Sequence, residues 1–135
     1  MRVVFDTNIF ISALTLPGGR AEAAVLRIID GDDTLVISHK IIDEVLTVLA
    51  RKFSRDAEAL SRVAVNLAGL GEIVRPAERL NVLDDESDNR ILECAVAGNA
   101  GAIVTGDKAM LMLNKYRHIK IIPLSEFLRK GERHS

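Results

Sequence analysis

The sequence has few of the residues that build disulfide-linked or zinc-bound folds. Its 135 residues include one cysteine, Cys94, and three widely spaced histidines, His39, His118 and His134. A lone cysteine cannot form an internal disulfide, and scattered histidines do not make a zinc or copper site. We therefore expect a protein of the reducing cytoplasm, in which Cys94 serves helix packing only.

Long apolar runs are also absent, although 48% of the residues are hydrophobic. A bilayer-spanning helix needs about 20 consecutive apolar residues. The opening MRVVFDTN reaches an aspartate after three apolar residues, which is typical of neither a signal peptide nor a membrane anchor. We expect no association with a membrane.

Neither sign of charge dominates, because the formal net charge is −1. The whole molecule therefore has no long-range field that would gather nucleic acid from solution. Two groups of basic residues are either a local basic rim or ordinary solvated helix faces: Arg51, Lys52, Arg55 and Arg62, then Lys108, Lys115, Arg117, His118 and Lys120.

Short aliphatic runs alternate with longer helical patterns. The runs cover 2–5, 34–38, 71–74, 101–105 and 118–122, and the helical patterns cover 8–15, 20–30, 40–52, 56–69, 87–98 and 107–114, with a short turn near 125–130. This alternation predicts an α/β protein with a parallel sheet wrapped by helices. The length suits one domain, which we place at 1–130, followed by a frayed polar tail at 131–135.

Two aspartates stand just after predicted strands. Asp6 follows the apolar residues 3–5, and Asp107 follows the run that ends at 105. Ligands of an open parallel sheet bind beyond the carboxyl ends of its strands, so both aspartates are candidate site residues. Aspartate is also a favoured N-cap, and a helix is predicted after each one, so a purely structural cap is the alternative.

Glu44 borders the apolar face of the helix predicted over 40–52. At about 100° per residue, Glu44 lies beside that face, whereas the neighbouring Asp43 turns toward solvent. Glu44 is therefore a candidate site residue. A boundary glutamate that merely extends its carboxylate into water has the same pattern.

Asp88 falls within the apolar face of the helix predicted over 87–98. A carboxylate at this position points inward, and a buried charge is costly unless it has a hydrogen-bond partner or a cation. The alternative is a capping arrangement, in which Asp85 caps the helix and Asp88 bonds back to it.

Together, these acids would converge at one edge of the sheet and repel one another. A hard divalent cation with oxygen ligands, Mg²⁺ or Mn²⁺, is the usual remedy, and such an ion supports hydrolysis of phosphodiesters. Thr7, Asn8 and Thr105 would add hydrogen bonds around the site, although each also suits a turn that caps the next helix.

Several segments match one known family: VVFDTN at the start, the helix with Glu44, DESDNRILECA at 85–95 and IVTGD at 103–107. On these segments the chain resembles the PIN-domain family over nearly its whole length, and in particular the VapC-like toxins of toxin–antitoxin pairs. In this resemblance, the family's acidic positions fall on Asp6, Glu44, Asp88 and Asp107, and its polar supports on Asn8 and Thr105.

The resemblance implies a three-layer α/β/α sandwich with a parallel, Rossmann-like sheet of four to five strands in a flavodoxin-type order. It also implies an Mg²⁺- or Mn²⁺-dependent endoribonuclease, a homodimer and an antitoxin partner that covers the acidic site. Arg20, which follows the loop at 17–19, and Lys108 are the candidate RNA contacts. The helix at 56–69 is core by default, with a dimer surface or an antitoxin contact as alternatives.

Two other functions remain in view. One is a phosphatase that forms an aspartyl phosphate on Asp6, but such an enzyme needs a second acid two residues later, where this chain has Asn8. The other is a non-catalytic RNA-binding or protein-interaction module, because a fold does not fix a function. The complete set of four acids disfavours this second reading.

Overall fold

In the computed structural model, which describes residues 1–53 and 56–132, strands alternate with helices. The strands are β1 (Arg2–Phe5), β2 (Thr34–Ile37), β3 (Glu72–Ile73), β4 (Ala102–Val104), β5 (Lys115–Tyr116) and β6 (Ile119–Ile122). The helices are α1 (Thr7–Thr15), α2 (Arg20–Ile29), α3 (His39–Lys52), α4 (Ala57–Leu70), α5 (Glu86–Ala97), α6 (Lys108–Leu113) and α7 (Leu124–Glu132). Arg55 and His134 lie outside the described residues.

The described strands form one sheet of six in the order β3-β2-β1-β4-β6-β5. All neighbouring pairs are parallel except β5 with β6. The expected count of four to five strands was too low by the edge strand β5, whose two residues carry no apolar run. The flavodoxin-type order was also wrong, because the five parallel strands follow the Rossmann-type order. In that order β2 and β3 are added on one side of β1 and the later strands on the other, so the strand order reverses between β1 and β4.

The three layers of the α/β/α sandwich follow from strands that are buried on both faces. Val3, Val4 and Phe5 of β1 are 0% exposed, which requires helices above and below the sheet. The end of α5 lies very close to β2, since a Cβ on Gly98 would lie 2.2 Å from Cγ1 of Val36. Only glycine fits there. On α5, Cys94 is buried, and burial raises the pKa of its thiol to about 12.

Instead of the expected short turn near 125–130, the chain forms the nine-residue helix α7. Phe127 of this helix is fully buried and meets the ring of Phe5 edge-on at 5.5 Å, while the guanidinium of Arg27 lies 4.3 Å over its other side. Because α7 runs to Glu132, residues 131–132 of the expected frayed tail are helical, and 133–135 lie outside the described residues.

The helix expected at 56–69 is α4, and its apolar face packs against the core as expected by default. Leu67 is buried, and Leu60, Val63 and Ala64 are partly buried against the core. In the described part of the chain, no single helix is long and apolar enough to cross a membrane; only α1 and α2 taken together pass by length and composition, and they are bent by 102°.

Candidate active site

The candidate site lies at the carboxyl ends of β1 and β4, where the strand order reverses. Phe5 of β1 pairs with Val104 of β4, so the residues that follow, Asp6 and Thr105, are neighbours. The Asp6 backbone N–H donates to the carbonyl of Val104 at 2.9 Å and extends the pairing by one residue. Asp6 is 4% exposed. Its carboxylate is therefore fixed at the edge where open parallel sheets bind ligands.

Thr105 connects the two strand-end aspartates. Its hydroxyl donates to Oδ2 of Asp6 at 2.6 Å and accepts from the backbone N–H of Asp107 at 3.0 Å. Thr105 is 0% exposed, so neither bond competes with water. The sequence predicted Thr105 as a polar support, and the structure places its hydroxyl between Asp6 and Asp107.

Both strand-end aspartates also cap helices. Oδ1 of Asp6 accepts from the Asn8 N–H at 3.2 Å, and Oδ1 of Asp107 accepts from the Met110 N–H at 3.1 Å. The cap alternative is thus correct for both residues. It does not exclude a role in the site, because each cap uses one carboxylate oxygen and leaves the other for a different partner.

Asp88 is the most unusual acid of the site. It is 4% exposed on the inner face of α5, and its Oδ2 has no hydrogen-bond partner among the described residues. Asp85 caps the helix by accepting from the Ser87 N–H at 2.8 Å. Asp88 therefore points into the protein, as the helical pattern predicted, and one of its oxygens is unsatisfied.

The pKa of Asp88 is raised to about 7, most strongly by burial and also by the charges of four neighbouring carboxylates. These neighbours, in decreasing order of effect, are Asp107, Asp85, Asp6 and Glu44. Since such repulsion acts over short distances, all four predicted acids face one region. Glu44 is half-buried on α3, and the Asp43 beside it is exposed, as the helical wheel predicted.

The pKa of Asp6 is also raised, first by burial and further by the charges of Asp107 and Asp85. Hydrogen bonds from the Thr105 hydroxyl and the Asn8 N–H act in the opposite direction. Burial and the charges of neighbouring carboxylates therefore raise the pKa of both Asp6 and Asp88.

The donor chemistry fits a hard divalent cation. The unsatisfied atoms here include Oδ2 of Asp88 and the hydroxyl of Thr7, which is 3% exposed, and both are hard oxygen donors. In residues 1–53 and 56–132, however, no three acidic, histidine or cysteine side chains form a group ready to hold a metal ion. The acids that interact electrostatically would have to move closer together to share one ion.

The remaining predicted residues lie at the starts of helices. Thr7 and Asn8 begin α1, with Thr7 buried and Asn8 exposed. Arg20 begins α2, and Lys108 begins α6 directly after Asp107. Both basic side chains are exposed.

Sequence reasoning missed the polar residues that hold the segment leading into α5. The Asn89 side chain, 0% exposed, accepts from the backbone N–H groups of Val82 and Leu83 at 3.0 and 2.9 Å, and donates to the Leu83 carbonyl at 2.8 Å. These bonds fix the chain just before Asp85 and Asp88. The sequence gives no direct signal for these bonds, because the partners of Asn89 are backbone groups of residues 82–83.

A second anchor lies one turn further along α5. Glu93, which is 4% exposed, accepts from the Leu80 N–H at 2.8 Å and pairs with Arg90 at 3.0 Å. Arg90 in turn donates to the Leu80 carbonyl at 3.1 Å. The two anchors together fix the backbone of residues 80–83, just before α5.

Comparison with known proteins agrees with this description. A family model described as PIN domain matches residues 2–109. The uncharacterized protein MJ1680 of Methanocaldococcus jannaschii is 30% identical over 145 residues, which cover 98% of this chain and 93% of that protein.

Two solved structures have a similar fold. One is VapBC2 from Rickettsia felis, bound to a DNA fragment from its promoter, with a TM-score of 0.65 and 16% identity over 91% of this chain and 98% of that chain. The other is PAE2754 from Pyrobaculum aerophilum, with a TM-score of 0.58 and 19% identity over 96% of this chain and 87% of that chain. At these identities the likeness concerns the fold.

Fold and site define a Rossmann-type α/β/α domain with buried acids where the strand order reverses. The chain belongs to the PIN domain family. The resemblance drawn from the sequence segments is thereby confirmed, as is the mostly parallel α/β/α architecture.

Proposed function

We propose that the protein is a metal-dependent endoribonuclease that hydrolyses RNA phosphodiester bonds, and that it is the toxin of a toxin–antitoxin pair in the cytoplasm. The observation that carries the proposal is Asp88, a buried aspartate with one unpaired oxygen and a pKa raised to about 7. Four other carboxylates act on the charge of this acid, which is a cost that binding of a cation would offset.

Asp6, Glu44, Asp88 and Asp107 are the residues that would hold Mg²⁺ or Mn²⁺. When bound, such an ion supplies an acidic water molecule and neutralises charge on the phosphate. The chain's own contribution is to position these acids. Thr105 fixes Asp6 relative to Asp107, and the helix caps hold both aspartates at the carboxyl ends of β1 and β4.

The surroundings suit a polyanionic substrate. Arg20 and Lys108 are exposed at the starts of α2 and α6, where their charges would face phosphates on either side of the acids. Asn8, which is exposed at the start of α1, would offer its amide to the same RNA, and the buried Thr7 hydroxyl would serve the ion. We place the RNA across this edge of the sheet, with an antitoxin and a second copy of the chain as protein partners.

The antitoxin partner is supported by the solved complex with a similar fold, which is a VapBC2 assembly. In the proposal, an antitoxin silences the enzyme by covering the acids with a basic side chain. Co-expression with the gene beside the coding sequence, followed by co-purification, tests this part. A neighbouring product that neither binds the chain nor reduces its toxicity would contradict it.

The test of activity is cleavage of a mixed set of labelled RNAs by the purified protein with Mn²⁺, Mg²⁺ or EDTA. Asp6→Asn and Asp107→Asn should each abolish cleavage. The matched control is Asp43→Asn, which removes the same charge from an exposed position beside Glu44 and should leave the rate unchanged. Equal cleavage by Asp6→Asn and wild type would reveal a contaminating nuclease.

Complete absence of cleavage by folded protein over the whole RNA set, together with tight RNA binding, would favour a non-catalytic module. Cleavage that continues in EDTA would exclude the metal-dependent mechanism. Either result would overturn the proposal.

A further inference from the structure

A pocket of about 370 Å³ lies at the same edge of the sheet as the acids. Its wall on one side is the end of β2 and the start of α3, with Ser38, His39 and Lys40. On the other side it is the segment after β3, residues 74–79, and its floor includes Glu93. The volume is in the range of sites for small ligands.

The acids of this pocket are already neutralised by cations of the chain. Glu78 accepts two hydrogen bonds from Arg117, at 3.1 and 2.9 Å, and this pair lowers the pKa of Glu78. Glu93 pairs with Arg90 at 3.0 Å. Neither carboxylate therefore offers a free negative charge to the pocket.

The cations of the pocket, in contrast, are available. Lys40 and Arg75 are exposed, and neither forms an ion pair or a side-chain hydrogen bond within the part of the chain that the structure describes. Arg79 makes one long contact of 3.6 Å with Glu86. The pocket therefore carries a net positive charge on a protein whose formal charge is −1.

The wall that carries Arg75 and Arg79 is held in place at both ends. At one end, the Val74 N–H donates to the Ile37 carbonyl at 2.9 Å. At the other end, Leu80 is bound through its N–H to Glu93 at 2.8 Å and through its carbonyl to Arg90 at 3.1 Å. The basic pocket is thus preformed, which reduces the entropy that a ligand would lose on binding.

The pocket adjoins the acids through α3. Lys40 and Glu44 lie four residues apart on this helix, so they share one face and are separated by about 6 Å along the axis. Glu44 in turn lies close enough to Asp88 to raise its pKa. The pocket and the acids are therefore neighbours along α3, with Glu44 between Lys40 and Asp88.

We propose that this pocket, with Lys40 and Arg75 as its phosphate contacts, binds the nucleotide next to the scissile bond of a single-stranded RNA. The inference rests on the proposed function for its link to cleavage, while the binding itself does not depend on catalysis. An RNA strand fits better than an acidic protein segment, because the pocket has the size of a small ligand and adjoins the acids that would cleave RNA.

The experiment measures binding of a fluorescent 12-nucleotide RNA to the Asp88→Asn protein, by anisotropy at several salt concentrations without added metal. Arg75→Gln and Lys40→Gln are compared with Arg129→Gln, which removes an equal charge from the exposed side of α7. Each pocket variant should weaken binding about 5- to 10-fold and reduce the slope of log affinity against log salt by about 0.7, the value for one lost contact to a single strand.

The control Arg129→Gln should keep both the affinity and the salt slope. Circular dichroism confirms that all variants are folded, which is expected since the substituted side chains are exposed. Equal affinity and equal salt slope in Arg75→Gln and Arg129→Gln would overturn the inference. A glutamate 12-mer that binds more tightly than RNA, and loses its affinity in the pocket variants, would instead assign the pocket to a protein ligand.

Failure of the proposed function has a different signature. If wild type cleaves no RNA but the pocket variants still lose RNA binding, the nuclease is wrong and the pocket stands. If wild type cleaves RNA, Arg75→Gln should raise KM with little change in kcat, because a contact made equally in the ground and transition states is lost. An unchanged KM would refute the pocket and leave the nuclease intact.

Discussion

The stability of the metal-free protein should depend on pH through Asp88, and Asp88→Asn should remove that dependence. The pKa of this acid is raised from 3.8 to about 7 in the folded protein. Between these values the folded state keeps a proton that the unfolded state releases, so the free energy of unfolding must fall as the pH rises. The free energy of unfolding that protonated Asp88 preserves is fully present below pH 4 and is lost as the pH rises through 7.

The size of the effect follows from the shift of about three pKa units. At about 1.4 kcal/mol per unit, Asp88 costs the folded protein up to about 4 kcal/mol at pH 8 relative to pH 4. Asparagine has nearly the same shape and no charge to bury. We therefore expect Asp88→Asn to be more stable than wild type by about 2 to 4 kcal/mol at pH 8, and similar to it at pH 4.

The assay is urea denaturation in EDTA at pH 4, 5, 6, 7 and 8, followed by circular dichroism. Asp6 also has a raised pKa and contributes in the same direction, so the contribution of Asp88 is the difference between wild type and variant. Asp43→Asn is the exposed control. Parallel pH profiles for wild type and Asp88→Asn would refute the reasoning, because they would show that Asp88 is ionised in the folded protein at no cost.

Three further predictions concern the elements that hold the site. Thr105→Val leaves the Asp107 N–H and Oδ2 of Asp6 without their partner, so it should lower the free energy of unfolding by about 1 to 3 kcal/mol and reduce cleavage. Thr47→Val, at an exposed hydroxyl, is the control for denaturation and for the cleavage rate. Asn89→Ala removes three hydrogen bonds to residues 82–83 and should accelerate amide exchange of Val82 and Leu83 more than exchange in β1, and uniform acceleration would contradict local anchoring. Phe127→Ala should cost about 3 to 5 kcal/mol by thermal or urea unfolding, and a loss below 1 kcal/mol would show that α7 is not part of the core.

The order of strands and helices could be predicted because buried parallel strands are continuous apolar runs. Val3–Phe5 and Ala102–Val104 are such runs, and both are fully buried strands. The two-residue strand β5 has no such run, because backbone pairing with β6 and not an apolar sequence makes it a strand. The strand order was missed for a related reason: it depends on contacts between distant segments, which periodicity does not report.

Helix α7 was underestimated because its sequence has few apolar residues. Phe127 is fully buried and Leu124 and Leu128 are partly buried against the core, but a stripe of three residues covers little more than one helical turn. The anchors on α5 were missed for the opposite reason. Asn89 and Glu93 are polar residues on a buried face, and their partners are backbone groups of the preceding segment, which no side-chain pattern reveals.

At the candidate site, the sequence left cap and site residue as alternatives for Asp6 and Asp107; the structure shows both caps, and a cap does not exclude a role in the site. Asp6 uses Oδ1 for the start of α1 and Oδ2 for Thr105. This division determines which variant tests the activity. In Asp6→Ala both bonds are lost, so lost cleavage would be ambiguous between chemistry and folding.

Asp6→Asn separates the two effects. Its amide oxygen can still accept from the Asn8 N–H and keep the cap, while the charge is removed. Its NH₂ group must then face Thr105, whose hydroxyl already accepts from the Asp107 N–H and would have to accept a second bond. We therefore expect a small loss of stability, about 1 kcal/mol, beside a complete loss of cleavage. A variant that is fully folded, binds RNA and still cleaves would exclude Asp6 from the chemistry, whatever its place in the fold.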